Sequence, residues 1–262
     1  MADTGFRFSD THCHFDFPAF DADRQALLAE CRRRAVHRIV IPGVSAVQWA
    51  HLPGLQHDSV RLQYGFGLHP WFLDQHRQEH LQELEQMLRH HRPVAVGEIG
   101  LHGPAGDMER QLQLLEAQLE LARYFELPVI LHQVGAHNEL VRALKRVTPE
   151  RGGVVHAFSG SSEMAQEYRR LGLHLGLGGV ITYPRAARTR RAVAALPAAA
   201  LVLETDGPDM PLCGFQGVRN SPLQIPSVFR MLCQLRGLDH PQQYHELALV
   251  LEQNANRLFG RP

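Results

Sequence analysis

The amino-acid sequence predicts an α/β protein folded as a (β/α)₈, or TIM, barrel. Eight short apolar segments of strand length alternate with longer amphipathic segments along the 262 residues. This alternation is typical of parallel βαβ units, which build either an open doubly wound sheet or a closed barrel. The count of eight and the polar residues that end many of the segments favour the barrel, where strand ends face one active site. Because no repeat, low-complexity tract or linker interrupts the pattern, we expect a single domain over residues 1–262.

The eight predicted strands share a short apolar run, in most cases rich in β-branched residues. Each run is followed by Gly, Pro, Ser or another polar residue, as is usual where a strand ends. In chain order the predicted strands are Phe6–Asp10, Arg38–Pro42, Leu62–Leu68, Val94–Ile99, Pro128–Leu131, Gly153–His156, His174–Leu177 and Leu201–Glu204.

The predicted helices share apolar residues at three- and four-residue steps, which place those residues on one helix face. The pattern also predicts a closing helix that ends near Asn254. The stripes are Leu27, Leu28, Cys31 and Ala35; Leu81, Leu84 and Leu88; Met108, Leu112, Leu115, Leu119 and Ala122; Leu140, Leu144 and Val147; and Tyr244, Leu247, Ala248 and Leu251.

The composition narrows the functional classes. Lys plus Arg and Asp plus Glu each number 27, so the formal net charge is zero. That balance argues against a protein that coats long stretches of duplex, but not against an enzyme that contacts one or two phosphates in a cleft. Four cysteines without a CxxC pair indicate free thiols in a reducing compartment. The segment Met1–Asp10 lacks the apolar region of a signal peptide, and no apolar run reaches the ~20 residues that cross a membrane. We therefore expect a cytoplasmic protein with no membrane association.

The first predicted strand leads into two histidines, His12 and His14, separated by Cys13. On an extended backbone residues two apart point to the same side, so both imidazoles face one site while Cys13 faces the packing. Two neutral imidazoles on one face form half of a metal site. A pair of surface histidines on an edge strand is the other interpretation of this motif alone.

Four later strand ends add further candidate ligands. Glu98 is the one polar side chain in an apolar run, where a carboxylate costs several kcal/mol unless it is paired or bound to a cation. His132 and His156 end the fifth and sixth predicted strands at matching positions, and Asp206 follows the eighth. Taken separately, Glu98 could belong to a buried ion pair, each histidine could be a core or rim residue, and Asp206 could be a turn residue. Together they place ligands from strands one, four, five, six and eight on one face, which favours a metal centre.

Six ordered sequence blocks resemble the TatD family of metal-dependent deoxyribonucleases, which belongs to the amidohydrolase-like barrels. The resemblance runs nearly from end to end, and the segments 182–186 and 209–217 are similar to its YjjV-like branch. The blocks are Asp10-Thr11-His12-Cys13-His14, Gly67-Leu68-His69-Pro70, Val96-Gly97-Glu98-Ile99-Gly100-Leu101, Leu127-Pro128-Val129-Ile130-Leu131-His132, Val155-His156-Ala157-Phe158-Ser159-Gly160 and Glu204-Thr205-Asp206-Gly207-Pro208, with a similar ending over Asn254-Ala255-Asn256-Arg257-Leu258-Phe259.

The resemblance implies a nuclease that cleaves phosphodiester bonds of DNA or a short nucleic acid, in some members as an exonuclease from the 3′ end of single strands. It implies Mg²⁺, Mn²⁺ or Zn²⁺ as the cofactor, and we expect two such ions that share Glu98 and activate water. Asp206 is expected to be the general base. The implied metal ligands are His12, His14, Glu98, His132, His156 and Asp206.

The substrate side of the site is less constrained. His69, after the third strand, is predicted to be a substrate-facing hydrogen-bond donor rather than a ligand, and Arg185, Arg219 and Asn220 are candidate phosphate contacts. Two positions depart from the family pattern: His102 stands where members commonly carry Asp, and Val134 where many carry Arg. Both positions are expected at the substrate mouth, so they bear on phosphate binding and not on the metal ligands.

Two other functions suit the same residues. An amidohydrolase or esterase could use the same centre on a small molecule or an aminoacyl ester, because barrel fold alone does not determine substrate. A non-catalytic barrel scaffold is the second alternative, although unused buried carboxylates and imidazoles would only destabilise it. No obligate protein partner is evident from the sequence.

Overall fold

The structure, a computed structural model, describes residues 5–260. Residues 1–4, which belong to the segment predicted not to be a signal peptide, lie outside the described residues. All eight predicted strands are present and form one parallel sheet in sequence order. The strands are β1 (Phe8–Asp10), β2 (Val36–Pro42), β3 (Arg61–Phe66), β4 (Ala95–His102), β5 (Val129–Val134), β6 (Gly153–Val155), β7 (Leu173–Leu177) and β8 (Leu201–Leu203).

The sheet is nearly closed into the predicted barrel. The Thr11 backbone N–H, just beyond β1, donates to the Leu203 carbonyl of β8 over 2.9 Å. A second backbone bond joins the Asp206 N–H to the His12 carbonyl over 2.8 Å. The two ends of the sheet therefore meet where the candidate ligands of the first and eighth strands lie.

Helices follow each strand and surround the sheet. The connection after β2 departs from the pattern, because its helix has a single turn. The helices are α1 (Arg24–Arg33), α2 (Ala46–Trp49), α3 (Glu79–His91), α4 (Met108–Tyr124), α5 (His137–Arg146), α6 (Ser162–Arg170), α7 (Ala187–Ala195), α8 (Ile225–Leu235) and α9 (Pro241–Phe259). Among residues 5–260 no helix combines the length and the apolar character that crossing a bilayer requires.

The closing helix is longer than predicted. It continues past Asn254 to Phe259, so the predicted end near Asn254 is wrong. The asparagines there contact the barrel: the Asn254 amide donates to the Ala198 carbonyl over 2.8 Å and to the Leu201 carbonyl over 2.7 Å. Asn256 accepts a hydrogen bond from the buried Arg38 of β2. Tertiary contacts thus override the usual preference of Asn for helix ends.

The barrel interior has its own small core, separate from the larger one between sheet and helices. Leu258 and Phe259 from the end of α9 enter it, and the Gln63 side chain of β3 donates to the Phe259 carbonyl over 2.9 Å. This filled end lies opposite the candidate site. The strand residues of the interior cluster are Val40, Val94, Ala95, Ile130, Val154 and Val202.

Candidate metal centre

The first two candidate ligands are positioned by the buried Asp10 at the end of β1. Its carboxylate accepts hydrogen bonds from the Thr205 N–H (3.0 Å), the Thr205 hydroxyl (2.5 Å) and the His12 N–H (3.3 Å). These bonds tie the segment after β1 to the segment after β8. Cys13 is fully buried, and its thiol donates to the Gly207 carbonyl over 3.4 Å. His12 and His14 therefore point into the site while Cys13 packs, as the spacing predicts.

Glu98 of β4 lies at the centre of the site and is nearly fully buried. Its two oxygens face different histidine pairs. Oε2 is 3.2 Å from His12 Nε2 and 3.4 Å from His14 Nε2. Oε1 is 2.8 Å from His156 Nε2 and 3.0 Å from His132 Nδ1. One carboxylate thus contacts the histidines after β1 through one oxygen and His132 and His156 through the other, and the His12 and His156 rings stack on each other at 4.0 Å.

Asp206 completes the group on the side of β1. Its Oδ1 atom lies 3.4 Å from His12 Nε2 and 3.6 Å from His14 Nε2. The backbone of Asp206 is left-handed (φ 58°), a conformation that Asp tolerates better than most residues. The structure therefore brings all six predicted ligands together, and His12, His14 and Asp206 offer atoms within 4.8 Å of one another.

The hydrogen bonding of these residues also indicates that they could bind divalent cations. Several of their buried polar atoms make no hydrogen bond to any described residue: both ring nitrogens of His12, Nδ1 of His14 and Oε2 of Glu98. His12 Nε2 and Glu98 Oε2 approach within 3.2 Å without hydrogen-bond geometry. Buried polar groups are normally satisfied, so these unpaired nitrogen and oxygen atoms form a site that suits cations. Imidazole and carboxylate are suitable ligands for Zn²⁺ or Mn²⁺.

Burial and neighbouring charges shift the pKa values of these groups in different directions. Burial alone would raise the pKa of Glu98, but His69, His156 and His12 around it hold that pKa well below its usual value. Burial lowers the pKa of His12, which keeps the ring neutral, the form that binds metal. Burial also opposes the charge of His156, yet Glu98 raises the pKa of this ring to about 10. Metal binding at His156 would therefore release a proton.

His69 also contacts the central carboxylate, with Nε2 2.9 Å from Glu98 Oε1. Its position allows His69, Glu98 and His132 to be considered as one ligand group. However, its Nδ1 accepts the Trp71 N–H over 3.0 Å, so the neutral ring carries its proton on Nε2. His69 is thus a hydrogen-bond donor to Glu98 and not a lone-pair donor. Contact between His69 and substrate stays a prediction.

Glu204 is fully buried below the site, inside the barrel. Its Oε1 accepts the Ala157 N–H and lies 4.0 Å from His156 Nδ1. A Cβ on Gly176 of β7 would lie 2.0 Å from Glu204 Oε2, so only glycine leaves room for this carboxylate. Glu204 is therefore a charged neighbour of His156 but does not hydrogen-bond its Nδ1 atom.

The three polar candidates for phosphate binding have other partners or lie further out. Arg219 forms two hydrogen bonds to Asp23, of 2.8 and 2.6 Å. The Asn220 amide donates to the Thr205 carbonyl (2.8 Å) and the Met210 carbonyl (3.1 Å), which secures the loop after β8. Arg185 is exposed and stacks on Tyr183 at 4.9 Å. Their contact with substrate remains a prediction.

Sequence reasoning missed Asp10 as an organiser of the site, and it missed two buried glutamines of α4. Gln118 holds the backbone of Leu68 through bonds of 2.7 and 3.2 Å, and Gln111 holds the backbone of His102 through bonds of 2.8 and 3.1 Å. The signal was available, because both glutamines fall on the apolar stripe of their helix. A polar residue on a buried stripe needs a partner.

A cavity of about 660 Å³ opens beside the candidate ligands. It gives access to one side of the centre through the loops after β5, β6, β7 and β8. Val134, 40% exposed, and Met210, 39% exposed, make part of this mouth apolar. Its walls include His132, Val134, His156, Arg188, Asp206 and Met210.

An eight-stranded barrel with imidazole and carboxylate ligands at its strand ends is the architecture of a metal-dependent hydrolase. The family model for TatD related DNase matches residues 9–260, and the chain belongs to this family. The predicted family is therefore confirmed.

Similar proteins place the chain within the family. It is 46% identical over 260 residues to the uncharacterized metal-dependent hydrolase YjjV of Escherichia coli K12, covering 98% of this chain and 99% of that protein. The crystal structure of E. coli K12 YjjV superposes with a TM-score of 0.91, with 98% and 99% of the two chains covered and 45% identity. The 3′-5′ ssDNA/RNA exonuclease TatD of Pantoea vagans is 29% identical over 272 residues, covering 99% of each chain.

Proposed function

We propose that this metal-dependent hydrolase is a TatD-type deoxyribonuclease that cleaves phosphodiester bonds of single-stranded DNA or short nucleic acids. The observation that carries the proposal is the division of ligands by Glu98, whose two oxygens face two different histidine pairs. A carboxylate shared in this way is typical of two-metal phosphoesterase sites.

The proposed centre holds two divalent cations. His12 and His14 would hold one with Asp206, and His132 and His156 the other, with Glu98 shared between them. Such ions would lower the pKa of water and neutralise charge on phosphate oxygens. Mg²⁺, Mn²⁺ and Zn²⁺ are all candidates.

The protein's own groups orient the reactants. Asp206 is the most accessible carboxylate of the centre, with 16% of its side chain exposed, and it borders the cavity. We assign it to orient the attacking water and accept its proton as general base. His69 donates to Glu98 and so fixes the orientation of the shared carboxylate.

Two observations support a single-stranded substrate. The relative from P. vagans is named as an exonuclease of ssDNA and RNA. In this chain, Trp71 in the loop after β3 is 62% exposed, and its ring lies 4.7 Å from that of His102, which contacts the candidate ligand His132. Exposed aromatic rings beside a nuclease centre provide stacking surfaces for unpaired bases. The net charge of zero suits an enzyme that contacts one or two phosphates rather than a protein that coats a long nucleic acid.

The test uses purified protein loaded separately with Mg²⁺, Mn²⁺ or Zn²⁺. We expect metal-dependent cleavage of single-stranded oligonucleotides labelled at the 3′ or the 5′ end, and the label reports the polarity. Glu98→Gln should abolish cleavage, whereas Glu116→Gln, on an outer helix where Glu116 pairs with Arg146, should not. Full activity of Glu98→Gln would exclude the shared-carboxylate role.

Two observations favour a second candidate, an ester or amide hydrolase acting on a small molecule or an aminoacyl ester. The mouth carries the apolar Val134, where the family resemblance leads us to expect arginine, and Arg219 is paired with Asp23. The same protein preparations should be assayed on esters, aminoacyl esters and cyclic amides. Turnover of these compounds without any cleavage of oligonucleotides would replace the nuclease assignment.

A further inference from the structure

Both ring nitrogens of His132 contact other side chains. Nδ1 faces the centre, 3.0 Å from Glu98 Oε1 and 3.1 Å from His156 Nε2. Nε2 faces away from the centre and lies 2.9 Å from Nδ1 of His102. The planes of the two rings differ by 24° and their centroids are 5.2 Å apart. With the two nitrogens 2.9 Å apart, the rings therefore meet nearly edge to edge. His102 is therefore the outward partner of a proposed metal ligand, and the expectation that residue 102 does not bear on the metal ligands is wrong.

The position of His102 is fixed from two sides. Gln111 of α4 accepts the His102 N–H over 2.8 Å and donates to the His102 carbonyl over 3.1 Å. The Trp71 ring packs against the imidazole at 4.7 Å with an interplanar angle of 73°. A side chain held by its backbone and by an aromatic neighbour presents Nδ1 in one place. Such rigidity is what an orienting residue requires.

The position of the ring proton on His132 gives its contact with His102 a function. A neutral imidazole carries one proton, so Nδ1 can offer a lone pair to a cation only when the proton is on Nε2. The Nε2–H group is then buried against His102 and needs an acceptor. We propose that His102 is a positioning residue whose Nδ1 accepts this hydrogen bond and fixes His132 with Nδ1 free for metal. The inference rests on the metal centre of the proposed function, and it concerns metal binding rather than substrate.

The identity of residue 102 then sets how strongly one ion is held. The outer hydrogen-bond partner of a metal-bound histidine is commonly a carboxylate, which raises the basicity of the ligand. Imidazole is neutral and a weaker acceptor than a carboxylate. The chain therefore retains the orientation of His132 but binds the ion at this ligand less tightly than a carboxylate partner would allow.

The test compares His102→Phe, which keeps a ring against Trp71 but removes the acceptor, with His102→Asp, which supplies a stronger one. Metal dissociation constants are measured by calorimetric titration of metal-free protein with Zn²⁺ or Mn²⁺, without substrate. We expect His102→Phe to weaken the binding of one ion about 10- to 100-fold and His102→Asp to bind it at least as tightly as the natural chain. His90→Phe, an exposed histidine of α3, is the matched control and should change neither ion.

A second readout reports the ring directly. In ¹⁵N NMR spectra of Zn²⁺-loaded natural protein, His132 should show a protonated Nε2 and a metal-bound Nδ1, and this measurement remains available if His102→Phe does not fold. A folded His102→Phe variant with unchanged affinity would overturn the proposal, and so would metal bound through Nε2. Natural protein that binds metal but cleaves no oligonucleotide would refute only the nuclease assignment, since these readouts need no substrate.

Discussion

At the scale of single residues, Asp206 joins the backbone closure of the barrel to the chemistry of the site. Its N–H donates to the carbonyl of His12, and its carboxylate faces the imidazoles of His12 and His14. The same residue therefore links β8 to β1 and presents an oxygen to the cavity. Its left-handed backbone limits the residue types that the position accepts without strain to Asp, Asn and Gly.

Replacing Asp206 with Asn separates these two functions. Asparagine accepts the left-handed backbone, so the fold should remain, but its amide cannot take up a proton. We expect kcat for metal-dependent cleavage to fall by about 10²- to 10⁴-fold, the contribution typical of a general base. Asp209→Asn, exposed three residues later in the same loop, is the control and should retain activity. Equal rates for the two variants would remove Asp206 from the proposed mechanism.

The residue types of the centre could be predicted from the sequence, but their partners could not. An apolar run makes a lone Glu98 conspicuous, and strand-end histidines repeat at matching positions. By contrast, the contact of His102 with His132 depends on β4 continuing past the predicted end at Ile99 to His102. The pairing of Arg219 with Asp23 joins residues 196 positions apart, a separation at which sequence patterns carry no information.

At the scale of elements, β7 illustrates how a strand makes room for a buried charge. Gly176 lies where any side chain would meet the carboxylate of Glu204. Burial raises the pKa of Glu204 to about 8, against the opposing influence of His156. The carboxyl group thus depends on its fitted space and on the Ala157 N–H.

Gly176→Ala should disturb this arrangement. The added methyl group would force Glu204 or β7 to move, and overpacking of this kind costs about 1–3 kcal/mol in the free energy of unfolding. Urea denaturation gives the cost directly. Gly54→Ala is the matched control, because a Cβ there has no described atom within 4 Å. Equal stabilities of the two variants would show that Glu204 has space to spare.

Helix α9 closes the end of the barrel opposite the metal centre. Its final residues, Leu258 and Phe259, fill the interior between the strands, and both are nearly fully buried. The sequence predicted this helix from its apolar stripe but placed its end too early. Asparagines usually mark helix ends, and only the folded barrel provides the carbonyls that Asn254 contacts.

Truncation of Phe259 to Ala should open a void in this interior cluster. We expect the free energy of unfolding to fall by about 3–5 kcal/mol, the usual cost of removing a buried aromatic ring. Leu249→Ala on the same helix, where Leu249 is 48% exposed, should cost far less. Thermal and urea denaturation of both variants provide the comparison. Similar losses would mean that α9 contributes by its surface and not by filling the barrel.

At the scale of the whole molecule, the metal centre links stability to ligand concentration. Without cations, buried imidazole and carboxylate atoms of the centre lack hydrogen-bond partners among the described residues, which is costly. A cation that binds only the folded chain offsets this cost and stabilises it by RT ln(1 + [L]/Kd).

Metal titration of the intact protein should therefore raise its melting temperature. At a free metal concentration of 100 Kd, one site adds about 2.7 kcal/mol to the free energy of unfolding. A chelator should reverse the increase, and the Glu98→Gln variant should show a smaller one. Identical melting curves with chelator and with saturating Zn²⁺, Mn²⁺ or Mg²⁺ would contradict a cation site in the barrel.

The closure of β8 onto β1 also has a consequence for synthesis on the ribosome. A nascent chain that has reached residue 160 already contains five of the six predicted ligands, yet it lacks Asp206 and the strand that holds β1 in place. Such an intermediate would have an incomplete set of ligands and an unpaired edge at β1. The complete ligand set therefore requires synthesis to pass β8 and Asp206, so we expect metal to bind only after the barrel has closed.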